Sequence, residues 1–498
     1  VTKSRDKILE PLGRLGRRLL ELKADQQLYL VGGALRDSLL GRSSDDFDFA
    51  VSGSGLEFAE VVARSVRSRL VVLSRPDDEA RVVVGGLTLD FNGIGDRGIE
   101  ADLARRDFSL NAIAAELTTD GLGPLIDPHD GQADIKRRVI RPVSEASLSG
   151  DPLRLLRAFR IAAELGFTID PAVFELGARS SLRQTAPERI GAELLRVMNR
   201  PGSFEALRKL HELGRLAEIL PELVPILEDD LLREHSFRTY GKVEELVDRP
   251  GFFGRFDPEW QRYFDEWGAA EPPADDTEEV SADDLPSAAG HEPAAAQQGA
   301  PYRRALLKLA GLLHDVAKPE TRFVTTEGEM HFYGHDSLGA KIVARIGRDR
   351  LRLSRDQTRM LETLTQEHMR LHLLATAPDL SERAIRRYFR DLGEEALGLM
   401  ILCYADGWAT AGRTGHLEET ITRMIDQKRA EDAVVRVARL VDGNDLIALG
   451  LRPGPAFKVI LQELEDLQIE GKIATKEDGL DYLKTHLRGL ASGGGAEK

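Results

Sequence analysis

The chain has 498 residues, 68 Lys and Arg against 83 Asp and Glu, a formal net charge of −15 and a single cysteine. This length holds two to four domains with several cores. It contains no apolar run of the roughly 18 residues that a membrane-spanning helix needs, and Cys403 alone excludes an intrachain disulfide or a Cys-rich zinc site. The acidic balance argues against a simple basic RNA-binding module, although phosphate binding answers to local charge, and residues 265–300 alone hold ten acidic residues and no Lys or Arg.

Val1 to Leu20 alternates Lys/Arg with single apolar residues and lacks the apolar core of a signal peptide, so a cytoplasmic protein is expected. Residues 5–24 read as a helix, followed by the strand Leu28-Tyr29-Leu30-Val31, the pair Gly32-Gly33, a helix from Ala34 to Leu40 and a strand from Phe47 to Val51. Strands at 70–74, 81–84 and 86–92 follow, with Gly85-Gly86 as a hairpin turn. After Ser144 the pattern is helical almost to the end, and Asp151 to Leu165 is a 3.6-period segment closed by Gly166. Residues 268–300 are rich in Pro, Ala and acids and read as a disordered insertion; a last helical unit covers 430–488 before a loose SGGGAEK tail. The expected fold class is α+β: a mixed-sheet head over 1–145, an all-α neck over 146–215, a helical body over 216–425 and a C-terminal helical unit over 426–490.

Four features of the first half carry chemistry. Gly32-Gly33 lies between a strand and a helix N-terminus, where the backbone can approach a phosphate closely. Asp46-Phe47-Asp48 lies on a strand, so both carboxylates share one face while Phe47 enters the core; paired hard oxygens suit Mg²⁺. Asp90 on the later apolar strand is the candidate third carboxylate. Arg105-Arg106-Asp107 with Asn111 can hold a triphosphate and a ribose hydroxyl. Asp151, Arg154, Arg157 and Arg160 recur every three residues and form one charged helical stripe.

The segments GGALRD (32–37), DFD (46–48), RRDFSLNAIA (105–114) and DPLRLLRAFRIAAELGF (151–167) stand in the order seen in the class II CCA-adding and poly(A) polymerase family, which this chain resembles over about 25–215. Ile126-Asp127-Pro128 with Gly131, and Glu188-Arg189-Ile190 with Glu193, add to the resemblance; Gly443-Asn444-Asp445-Leu446 and Arg452-Pro453-Gly454-Pro455 match its C-terminal part more loosely. The resemblance implies nucleotidyl transfer to the 3′ end of tRNA from CTP and ATP, by two metal ions and without a nucleic-acid template. Asp46 and Asp48 would bind Mg²⁺ with Asp90 nearby; Gly32, Gly33 and Arg36 would hold the triphosphate; Arg106, Asp107 and Asn111 would contact phosphate or ribose. Asp151 and Arg154 would read the incoming base, and Arg157 and Arg160 would complete the phosphate contacts. Two departures stand out. Gly150 replaces the family's usual Glu before the reading Asp, and the segment Asn92 to Ala104 is short where CCA-adding members carry a longer flexible loop that supports the switch from C to A. The short segment points toward a CC-adding or A-adding specialist.

Further on, Leu312 to Pro319 (LLHDVAKP) resembles the core of an HD phosphohydrolase domain. His314 and Asp315 on one helix, with His235 upstream and His335, His368 and Asp406 downstream, make six candidate ligands for a dinuclear site that would suit a divalent transition metal such as Mn²⁺ or Ni²⁺. The resemblance implies phosphatase or 2′,3′-cyclic phosphodiesterase activity on RNA ends. The alternatives are poly(A)-type tailing, an HD phosphohydrolase with an RNA-binding head, or a non-catalytic RNA-binding protein; no membrane and no protein partner are expected.

Overall fold

The computed structural model describes residues 9–249, 253–265, 302–433, 440–451, 454–469 and 471–490. The expected insertion at 268–300, the first residues of the 5–24 helix, Arg452-Pro453 and the SGGGAEK tail lie outside them. No described helix is long and apolar enough to cross a membrane. The described chain divides into two compact units, one of residues 1–372 and 394–414, the other of 373–393 and 415–498.

The first unit opens with a seven-stranded mixed sheet in the order β3-β4-β5-β2-β1-β6-β7. Its strands are β1 (Leu28–Val31), β2 (Asp46–Val51), β3 (Leu70–Ser74), β4 (Glu79–Val84), β5 (Leu87–Gly93), β6 (Ala114–Thr118) and β7 (Gly121–Ile126). Only the central pair β2 and β5 is parallel, in a register that sets Asp48 opposite Asp90 and Phe49 opposite Phe91. Period-2 alternation then separates two faces. Phe47, Phe49 and Phe91 are buried on one, where Phe91 stacks on Phe49 at 5.4 Å and takes the edge of Phe58 at 5.3 Å. The acids stand on the other face. Gly85 and Gly86, with φ of +56° and +81°, close the β4–β5 hairpin as a two-residue turn, because only such residues adopt the left-handed twist it needs.

Helices follow, as expected. Glu145–Gly150 is capped by the Ser144 side chain, and Arg154–Leu165 ends on Gly166 at φ +67°. Here the structure corrects the sequence reading: Asp151 is not on the helix. It is extended, at φ −143° and ψ 94°, because Pro152 disfavours the helical region for the residue before it. Its carboxylate instead accepts from Leu153 N at 3.3 Å. The helices Pro187–Met198, Asp230–Asp248, Tyr302–Leu313, His335–Arg345, Arg355–Glu367 and Glu395–Ala411 complete the part of this unit that bears on function.

The second unit is helical, with a core of Val441, Leu446, Ile460, Leu464, Leu467, Ile473 and Leu483. Its Gly443-Asn444-Asp445-Leu446 motif is a helix start. The Asp442 side chain accepts from Asn444 N and Asp445 N, and Asp445 answers to Asp442 N. The arginine run on Glu382–Leu392 is largely neutralised, with Arg383 on Glu463, Arg386 on Glu431 and Arg390 on Asp466.

Candidate active site and metal centre

The head site begins at Gly32. Its φ of +73° suits glycine, and a Cβ there would lie 2.8 Å from Asp48 Oδ2 and 3.2 Å from Arg106 Nη1. Gly32 is therefore the floor on which Asp48 rests. The helix Gly33–Leu39 starts directly behind it. Asp46 and Asp48 come together on the face shared with Asp90. Burial, reinforced by Asp46 and Asp90 and opposed by Arg106, raises the Asp48 carboxyl to about 6. Burial and Asp90 raise Asp46 as well. A cluster of acids that resists ionisation in this way is chemically matched to a divalent cation. Asp90 differs: both its oxygens accept from Arg81, at 2.7 Å each. Sequence reasoning missed Arg81.

A cavity of about 280 Å³ lies over this face, lined by Asp48, Asp90, Arg105, Arg106, Asp107, Asp151, Arg154 and Arg157 among others. Asp102, nearly fully buried, holds Arg105 at 2.8 Å and Arg106 at 3.0 Å. Asp107 accepts from Arg157 (2.7 Å), Asn111 (3.1 Å) and Phe108 N (2.8 Å). Burial opposes its ionisation, but Arg157, Asn111 and the backbone donor overcome that and bring it down to about 2. Asn111 in turn accepts from Arg36 at 2.8 Å, so Arg36 faces Asn111 and Asp37 and does not line the cavity. Arg154 donates to the carbonyls of Arg105, Arg106 and Ser147. Asp151 Oδ2 accepts from Arg189 at 2.8 Å, an exposed residue of the helix Pro187–Met198. Of the expected stripe, Arg154 and Arg157 reach the cavity, while Arg160 turns to Glu193 at 2.5 Å and Glu164 at 3.1 Å.

The second centre lies among the later helices. His235, His314 and Asp406 form one group and Asp315, His335 and His368 another, each with candidate ligand atoms within 4.8 Å of one another. All six sequence candidates are thus brought together. His314 and Asp315 stand just past the end of Tyr302–Leu313 and not inside it. Nδ1 of His314 meets Gly311 O at 3.0 Å, that of His335 meets Phe332 O at 2.7 Å and that of His368 meets Thr365 O at 2.7 Å. Each carbonyl claims the Nδ1 proton and turns Nε2 inward, where His314 Nε2 lies 3.2 Å from His235 Nε2 and His335 Nε2 lies 3.1 Å from His368 Nε2. The two groups meet at Asp315, whose Oδ2 is 3.2 Å from His235 Nε2 and whose Oδ1 is 3.5 Å from His335 Nε2. Burial opposes protonation of both His314 and His368. Asp315 and Asp406 carry His314 up to about 10 all the same, while His368, beside His314, falls to about 4. The buried acids thus draw positive charge into the cluster, which fits a cation site. His372, which the sequence reading did not single out, meets Asp406 Oδ2 at 2.9 Å and braces that carboxylate from outside the cluster.

A mixed sheet with an Asp-x-Asp pair under an arginine-lined cavity defines a nucleotidyltransferase head, and the His/Asp cluster defines an HD-type body. Family models agree: the poly A polymerase head domain matches residues 28–92 and 88–141, the probable RNA and SrmB-binding site of polymerase A matches 166–227, and the HD domain matches 282–411. The chain is 31% identical to a CC-adding tRNA nucleotidyltransferase of Thermus thermophilus over 91% of its length and 92% of that protein, and 30% identical to an A-adding tRNA nucleotidyltransferase of Deinococcus radiodurans over 91% and 94%. The chain belongs to the tRNA nucleotidyltransferase family. Its fold is that of the Thermotoga maritima CCA-adding enzyme complexed with tRNA, with a TM-score of 0.59 at 20% identity and 98% coverage of both chains.

Proposed function

We propose that this chain extends the 3′ end of tRNA in the cytoplasm with C and/or A residues, all or part of CCA, taken from CTP or ATP without a nucleic-acid template. The observation that carries the reading is the placement of Asp46 and Asp48 on one face, with Asp48 in the wall of the same cavity as Arg106, Asp151 and Arg154. Asp46 and Asp48 would hold Mg²⁺, which supplies activation of a 3′-hydroxyl and neutralisation of leaving pyrophosphate. Arg105, Arg106 and Arg157 offer donors to the triphosphate, with Asp107 and Asn111 holding Arg157 and the ribose side in place. Gly32 and Gly33 let the backbone approach the phosphates, and Arg36 supports that loop through Asn111. Arg160 supports the reading helix through Glu193.

Base choice falls to Asp151 and Arg154. The carboxylate accepts from the amino group that cytosine and adenine share, and the guanidinium donates to the adjacent ring nitrogen. Uracil and guanine carry a carbonyl where that amino group stands. Residues 92–104 form the end of β5, a short turn and the helix Gly98–Ala104, which leaves no long loop for a C-to-A switch. The chain is accordingly read as a CC-adding or A-adding specialist, with 1–145 as catalytic head, 146–215 as neck, 216–425 as HD body and 426–490 as RNA-binding unit.

The test is to offer tRNAs lacking CCA, ending in the first C, ending in CC and complete, each with one of the four nucleotides and Mg²⁺. Extension stopping at CC, or confined to adding A to a CC end, is expected. Full CCA synthesis would overturn the specialist reading, and no extension of any end would overturn the whole. A second reading applies to the body, because its buried ligands fall into two adjoining groups. They would hold two ions such as Mn²⁺ or Ni²⁺ and hydrolyse phosphate esters at RNA ends. Incubation with a 2′,3′-cyclic phosphate end and either ion tests it, and an unchanged end sinks it.

A further inference from the structure

One cation on the carboxylate face has no part in the reaction outlined above. Arg81 on β4 stands directly opposite Asp90 on β5, and Asp90 stands directly opposite Asp48 on β2. Arg81 donates from Nε and Nη2 to the two different oxygens of Asp90, each at 2.7 Å. Paired N–H groups on paired oxygens make the strongest ion-pair geometry that side chains offer. The other arginines of the cavity are engaged elsewhere: Arg105 and Arg106 by Asp102, Arg157 by Asp107 and Arg154 by backbone carbonyls. Among the described residues, Asp46 and Asp48 feel arginines only at a distance and take no hydrogen bond from any of them. Three acids therefore share one face, and a single one of them is neutralised.

The choice of Asp90 has a consequence for a cation at the other two. A divalent ion between Asp46 and Asp48 gains two full negative charges and then meets a neutral pair where a third carboxylate would otherwise stand. The guanidinium occupies one lone pair on each Asp90 oxygen and repels the ion. We propose that Arg81 is a counter-ion built into the carboxylate face, neutralising Asp90 so that a divalent ion is held weakly enough to exchange in each round of nucleotide addition. Arg81 is a positioning residue that acts through Asp90, and its role rests on Asp46 and Asp48 being the ion-holding pair.

Mn²⁺ binding to the full chain without nucleotide, followed by the electron paramagnetic resonance of the free ion, tests this. The HD body would take up Mn²⁺ as well, so the share of the head is what Asp48→Asn loses. Arg81→Gln is expected to tighten that share about tenfold. Arg81→Lys, which keeps the charge on one oxygen, falls between. Adding Asp90→Asn to Arg81→Gln returns the affinity to within about threefold of the unaltered chain. The Mg²⁺ concentration for half-maximal addition is expected to fall in Arg81→Gln in step with the affinity. Unchanged or weaker Mn²⁺ binding in both Arg81 variants would overturn the proposal while leaving the ion-holding pair in place. If Asp48→Asn loses no Mn²⁺, that pair is itself misassigned and the role of Arg81 falls with it.

Discussion

Replacing Asp107 with Asn removes one charge from the wall of the cavity and keeps its shape. The carboxyl is almost wholly buried and titrates at about 2, against an ordinary value of 3.8. A depression of that size corresponds to about 2 kcal/mol of stability for the surrounding head. The group's pKa is lowered on folding, so this contribution is complete above the unfolded value near 4 and vanishes as pH falls through about 2. At pH 3 about half of it remains. The head unfolds as part of a large chain, so a single global midpoint would blur the effect. Hydrogen exchange of peptides around Phe108–Ala115 reads it locally. Asp107→Asn is expected to speed exchange there about thirtyfold at pH 7 and by much less at pH 3, while peptides of the HD body stay unchanged. Acceleration of under about fivefold at pH 7, or equal acceleration at both pH values, would refute the view that the Arg157 and Asn111 contacts hold this carboxylate ionised.

Arg189→Ala is expected to leave folding intact, since exposed ion pairs contribute little, yet to raise the KM for the correct nucleotide and narrow its preference over UTP about tenfold. An unchanged preference in competition assays would show that Arg189 does not orient Asp151. Asp48→Asn should lower addition by at least about a thousandfold while any metal held by the HD body is retained, as elemental analysis would register. His372→Ala should weaken metal binding at the HD body by about 10- to 100-fold, measured by competition with a chelator; equal affinity would mean that the Asp406 contact steadies nothing.

The reach of the sequence can be traced residue by residue. The Asp46/Asp48 face was legible because a strand's period of two leaves no choice. The pairing of Arg81 with Asp90 was legible too, and was missed. A two-residue turn at Gly85-Gly86 pairs Val84 with Leu87, and three steps outward along each strand reach Arg81 and Asp90. The three-residue spacing counts Asp151 into the helix, yet Pro152 disfavours the helical region for the residue before it. The destination of Arg160 was beyond reach, since its partner Glu193 belongs to a helix whose approach depends on packing. The six HD ligands were readable by type, but His372 was not, because it acts through Asp406 and belongs to no motif.

The charges at the head site lead to a last expectation. The cavity is lined by Asp48, Glu79, Asp90, Asp102, Asp107 and Asp151 against Arg105, Arg106, Arg154 and Arg157, and the adjoining Asp46 and Arg81 add one of each sign. Seven acids face five arginines, a balance of −2 when all are ionised. A bare cavity of that sign has no electrostatic reason to bind a triphosphate, whatever hydrogen bonds its arginines offer. Two divalent ions add four positive charges and invert the sign. Nucleotide affinity is therefore expected to depend on the ions, and not only the chemistry that follows binding. Calorimetric titration of CTP or ATP into the full chain with Mg²⁺, and again with a chelator, tests this coupling. Loss of at least about a hundredfold in affinity without the ions is expected. Equal affinity in both conditions would mean that the arginines alone hold the triphosphate, and that the acids at the cavity are already compensated by contacts within the protein.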